Sequence, residues 1–112
     1  MKHKMNLRDA PFQLMKTGQK TIELRLYDEK RRQISVGDEI EFANSVTPSL
    51  TIRRTVVALH LFPSFNELYA SLPLLRCGYT ADELSTASPS DMDLYYSKQA
   101  QKAYGVVGIE LK

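Results

Sequence analysis

The chain has no tryptophan, a single cysteine (Cys77), and only five glycines and five prolines in 112 residues. One cysteine excludes an internal disulfide and any zinc site built on several thiolates, and it suits a reducing compartment. A cytoplasmic location is the expectation. No run approaches 18 apolar residues, so a transmembrane helix is excluded. The opening MKHKMNLRDAPF is basic and then polar, without the apolar stretch of a secretory signal. Neither a P-loop nor a G-x-G-x-x-G occurs, so nucleoside-triphosphate chemistry has no support and no cofactor is expected. His3 and His60 stand at no metal-ligand spacing, and a metal site is not expected. Cys77, in a loop before Gly78, has no partner at a catalytic distance and reads as a half-buried structural thiol.

What is present is ordinary globular material. Hydrophobic residues make up 43% and charged residues 25% of the chain, and that length and balance suit one domain over residues 1–112. The net charge of +2 is unevenly spread. Residues 1–32 carry nine Lys or Arg against four acids, a net of +5, and the remainder six against nine, a net of −3. Positive charge gathered in one third suggests an anionic partner; the plain alternative is a solvated basic face.

Local patterns predict the elements. Asp9 is placed to cap a short helix, with Pro11 in its first turn, Phe12, Leu14 and Met15 on its apolar side and Gly18 ending it. Thr21–Tyr27 alternates, with Ile22, Leu24 and Leu26 on one face and Thr21, Glu23, Arg25 and Tyr27 on the other, which predicts a half-buried strand with a polar outer face. Tyr27–Gly37 reads as a charged loop. A turn at Val36-Gly37-Asp38 leads to a second strand around Ile40 and Phe42, and Leu50–Leu61 reads as a long third strand. Phe65–Leu72 reads as a helix capped by Ser64. Leu72–Pro89 reads as a loop, in which Thr80 and Glu83 stand at capping-box spacing. Helical turns follow at Ser90–Tyr96 and Ser97–Tyr104, and Val106–Leu111 alternates as a last strand. Mostly antiparallel strands with short helices between them predict a mixed α/β, mainly β fold, a small β-barrel rather than a parallel sheet.

The richest stretch is Gly18-Gln19-Lys20-Thr21-Ile22-Glu23-Leu24-Arg25. Same-face residues on a strand lie about 6.5–7 Å apart. An ammonium, a carboxylate and a guanidinium therefore share one patch if Lys20 swings to the side of Glu23 and Arg25. In a cleft such a patch grips a polar ligand; on an open face Glu23 and Arg25 are an exposed pair worth under about 1 kcal/mol. Lys30, Arg31 and Arg32 form the sharpest basic cluster and suit phosphate contacts, unless they are simply solvated beside Asp28 and Glu29. Tyr95 and Tyr96 are candidates to rim a cleft and stack on a base; Tyr104 fits ordinary packing better.

GQKTIELR resembles the G-x-K-T-x-E-x-R signature of ASCH domains, which are similar to the PUA domains of RNA-modification proteins. Met5–Lys16 looks like the family's opening strand and helix. LYDEKRRQISVGDEIEF resembles its loop and VGD turn, and YYSKQAQKAYGVVGIEL is similar to the closing segment of a bacterial subgroup. The resemblance implies a PUA-like barrel that holds RNA or a nucleotide-like ligand beside the signature strand, with Gly18, Lys20, Thr21, Glu23 and Arg25 on motif positions. Some ASCH proteins are amidohydrolases that deacetylate N4-acetylcytidine with a Lys, a Thr three residues on and a distant Glu. Here Lys20 holds the Lys position, but Glu23 stands where Thr is required, and Thr21 is displaced from it. Glu67 and Glu83 are the candidates for the distant acid. Binding is therefore the leading expectation, with Lys20, Glu23, Arg25, Lys30, Arg31, Tyr95 and Tyr96 as ligand contacts. The alternatives are an amidohydrolase acting on an acylated nucleoside through Lys20, Glu23 and Thr21, and a protein-interaction module without chemistry.

Overall fold

The computed structural model describes residues 1–112. Five strands, β1 (Lys2–Leu7), β2 (Ile22–Leu26), β3 (Glu39–Asn44), β4 (Thr51–Phe62) and β5 (Val106–Leu111), form one sheet in the order β1-β3-β4-β5-β2. The β1–β3 pair is parallel and the other three pairs are antiparallel. Three short helices, α1 (Asp9–Lys16), α2 (Phe65–Ser71) and α3 (Lys98–Tyr104), join the strands, and 3-10 turns occupy much of the chain between α2 and α3. The mainly β fold and the mostly antiparallel small barrel that the pattern predicts are present, with the sheet curled into a half-barrel. No helix is long and apolar enough to cross a membrane.

The curl originates in β4. Its first half pairs with β3 through Thr51–Thr55, its second half with β5 through Val56–Phe62, and a bulge lies between Val56 and Ala58. A bulge bends its strand and increases the local twist, so one long strand turns the sheet back on itself. Two cores result. The larger lies inside the curl, where Met5, Leu7, Ile40, Phe42, Val107 and Ile109 meet Phe12 and Met15 of α1. The smaller lies on the other side of β2 and β5, where Ile22, Leu24, Leu26 and Val106 are covered by Phe65 and Leu68 of α2 and by Cys77 and Met92. Gly108 of β5 lets this layer come close: a Cβ there would lie 2.6 Å from Leu72 Cδ1.

The second layer corrects the reading of β2. Its apolar face does not point into the barrel but lies under α2. Its polar face, Glu23 and Arg25, is therefore turned inward and is not an outer face in water. Two smaller corrections accompany it. β1 does not emerge from periodicity alone, because Lys2, His3 and Lys4 precede its two buried residues, Met5 and Leu7. Asp9 sits inside the first turn of α1, with Arg8 at the cap position; its carboxylate instead accepts from Asn44 Nδ2 at 2.9 Å, tying α1 to the end of β3. The helical turn expected at Ser90–Tyr96 is a 3-10 turn over Pro89–Leu94, held by reciprocal bonds between Ser88 and Asp91.

Candidate functional site

β1 and β2 are the free edges of the sheet, and the curl brings them together. No ladder joins them. Arg25 Nη2 on β2 donates instead to the Asn6 carbonyl on β1 at 2.9 Å. A cleft of about 770 Å³ opens along this seam, bounded by α1 on one side and by the irregular segment after α2 on the other.

Its floor is the signature strand. Gly18, at φ +88°, ends α1 and turns the chain into the run before β2. Lys20 and Glu23 are each only 5% exposed. Lys20 Nζ donates to the carbonyls of Ile22 at 3.0 Å and Cys77 at 2.9 Å and pairs with Glu23 Oε1 at 3.0 Å. An ammonium has three protons, so all are committed. Arg25 holds Glu23 Oε2 from Nε at 2.7 Å and from Nη2 at 2.6 Å. Burial alone would raise the Glu23 pKa, but Lys20 and Arg25 together outweigh it and hold the carboxyl below its ordinary value. Burial opposes the charge on Arg25 too, and Glu23 together with Tyr96 more than restores it. Burial pushes the Cys77 thiol up to about 11, so the cysteine beside Lys20 is a buried neutral group.

The wall facing the floor comes from three separate places. Tyr69 of α2 and Tyr79 share a hydrogen bond at 2.5 Å, and the Tyr79 hydroxyl donates to Asp91 Oδ2 at 2.8 Å. Asp91 Oδ2 also accepts the Ser88 amide at 3.1 Å. Gly78, at φ +107°, brings this segment against the floor: a Cβ there would lie 3.3 Å from Lys20 Nζ. At the mouth, the Arg8 guanidinium lies 4.8 Å from the centre of the half-exposed Tyr95 ring. Leu94, 83% exposed, stands beside it.

Of the residues named from sequence, Lys20, Glu23 and Arg25 converge, and Tyr95 and Tyr96 line the same cleft. Tyr96 stacks on Phe65 with its ring beside Arg25. Thr21 lies outside the cleft lining and accepts from Arg76 Nε at 2.8 Å. Lys30 and Arg31 also lie outside the lining. Lys30 is exposed, whereas Arg31 is held by Asp28 at 3.3 Å. Arg32 packs over Tyr27 and donates to the Tyr104 carbonyl. Glu67 accepts from Ser64 away from the cleft, while Glu83 lines it. His60 pairs with Glu110 on the sheet at 2.9 Å. Sequence reasoning missed Arg8, Tyr69, Tyr79 and Asp91 as lining residues. The one local signal was Ser88 three residues before Asp91, a capping spacing that fixes the carboxylate.

The curled sheet, with short helices packed against it and a cleft along its seam, defines a PUA-like small barrel. The ASCH domain family model matches residues 5–112, and the chain belongs to that family. Among solved structures it is similar to the crystal structure of hypothetical protein PH0355, with 33% identity, 100% of this chain and 98% of that one covered, and a TM-score of 0.82. It is also similar to the solution NMR structure of protein PF0455 from Pyrococcus furiosus, with 32% identity, coverage of 100% and 96%, and a TM-score of 0.76. No curated protein matches it.

Proposed function

We propose that this chain binds RNA, or a small ligand containing a nucleotide, in the cleft beside the Gly18–Arg25 segment. The observation that carries the reading is the convergence of the Lys20, Glu23 and Arg25 head groups on the floor of one cleft with a half-exposed tyrosine at its mouth. ASCH domains are generally RNA-binding, which supports the same reading. Roles divide by accessibility. Lys20 and Glu23 are buried and act indirectly, by fixing Arg25 and the field of the floor. Arg25, Tyr95 and Tyr96 touch the ligand, and a base stacks on Tyr95. Lys30 and Arg31 lie farther out, where the phosphates of a longer RNA run in a cytoplasmic setting.

Amide hydrolysis finds less support. A nucleophile or base must be free to approach its target, and Lys20 has every proton committed while both Glu23 oxygens are held. The test is fluorescence anisotropy with short single-stranded oligoribonucleotides at 50 and 200 mM salt. Affinity falls with salt as phosphate contacts are screened, and Tyr95→Ala weakens binding by about 1–3 kcal/mol for a stacked base. Absence of binding at the lower salt overturns the proposal.

A further inference from the structure

The cleft wall has a direction written into its hydrogen bonds. A carboxylate only accepts, so the Tyr79 proton goes to Asp91. The Tyr79 oxygen must then accept the proton shared with Tyr69. Burial raises the pKa of both tyrosines, first among several causes, so both stay protonated and the chain Tyr69→Tyr79→Asp91 keeps one polarity. Neither hydroxyl has a proton left for a ligand. Both residues line the cleft, and what their polar atoms keep unused is acceptor capacity: the lone pairs of Tyr69 and Asp91 Oδ1, which has no partner within the chain and is not buried.

The floor offers little in return. Lys20 has no free proton, and Glu23 has no free oxygen. Arg25 is held by Glu23 and the Asn6 carbonyl and is also hydrogen-bonded to Tyr96, so the floor keeps few donors for a guest. Charge also balances across the lining: Arg8, Lys20 and Arg25 are opposed by Glu23, Glu83 and Asp91. A phosphate gains little in such a cleft, and beside Asp91 it is repelled. The matching group carries several N–H donors and one acceptor, and is flat enough for a slot lined by tyrosines.

We propose that Tyr69, Tyr79 and Asp91 form a specificity wall that selects bases bearing an exocyclic amino group over uracil, with the phosphates left outside. This rests on the reading that the cleft holds a nucleotide, and it adds which part enters and which edge is read. Cytosine and adenine each present an amino group as donor, whereas uracil presents a carbonyl at the equivalent place. A carbonyl set against Asp91 leaves two acceptors facing each other without a proton, and a site built to hydrogen-bond one group rejects the analogue that lacks it.

The test uses the intact chain and oligoribonucleotides of equal length made only of A, C or U, so that the phosphate contribution is constant. Runs of A and of C bind more tightly than U, by about tenfold or more. Replacing adenosine by N6,N6-dimethyladenosine, which removes the donors, abolishes that advantage. Tyr79→Phe breaks the relay and lowers the preference to under about threefold, with the salt dependence unchanged. Asp91→Asn, which adds a donor to the wall, shifts the preference toward U, and provides a second route if either variant folds poorly. Equal binding of all three runs by the native chain overturns the wall while leaving the function above intact. A failure of every run to bind overturns both. Capture of a lysine-rich peptide in place of any RNA also overturns the proposal, since it makes the acceptors a site for ammonium groups.

Discussion

The floor and the wall of the cleft are both polar, yet they satisfy their polar groups in opposite ways. On the floor, Lys20 and Glu23 are almost wholly buried and Arg25 mostly so, and nearly every donor and acceptor is paired inside the chain. On the wall, Tyr69, Tyr79 and Asp91 are partly exposed and end in an open carboxylate oxygen. Buried charge is tolerable only when matched, because leaving water costs each ion several kcal/mol. The floor is therefore architecture with an electrostatic effect, whereas the wall keeps acceptor capacity that the chain itself does not fill. Conspicuous charge in a motif and availability to a ligand are different properties.

Glu23→Gln breaks that contrast hardest. It removes the one anion between two buried cations and costs about 3–5 kcal/mol, read as a lower midpoint in chemical denaturation. A loss of under about 1 kcal/mol would show that water reaches the floor and that the contrast is false. Acid sharpens the same point. The folded pKa of Glu23 lies below its unfolded value, so its contribution is complete above the unfolded pKa of 4.5 and is lost as pH falls through the folded one. Asp38, held at about 2 chiefly by His3 and by the Ser35 amide, acts with the same sign between pH 3.8 and 2. Stability measured against pH falls below pH 4.5, and Glu23→Gln shows a shallower fall than the native chain. The smallest effect belongs to the wall: Tyr79→Phe costs about 0.5–1.5 kcal/mol for its partly buried hydrogen bonds. A cost as large as that of Glu23→Gln would make the wall architecture as well.

The sequence made the strands legible where two faces differ in polarity, as in Thr21–Tyr27 and Val106–Leu111. It also placed Glu23 and Arg25 on one side, which Lys20 could join only by swinging over to it. It did not show that this side is buried, because burial of a polar face depends on what covers the apolar one. The alternation of β2 is the same whether α2 lies over Leu24 or water does. The wall was illegible for a related reason. Tyr69, Tyr79 and Asp91 belong to a helix, a loop and a 3-10 turn, and the stretch after α2 has no period from which a face can be read. Their meeting is a product of tertiary structure, with Gly78 and the capping contacts of Asp91 as its only local traces.

The tie between Arg25 and Asn6 has a mechanical consequence. Strands joined by a ladder resist sliding, since several bonds must break at once; β1 and β2 are joined by one side chain, which sets their spacing but not their register. The half-barrel thus has an expansion joint along the seam of the cleft. Under the proposed function, a guest that competes for the guanidinium would loosen the joint as it binds, so one residue would both greet the guest and set how wide the door stands.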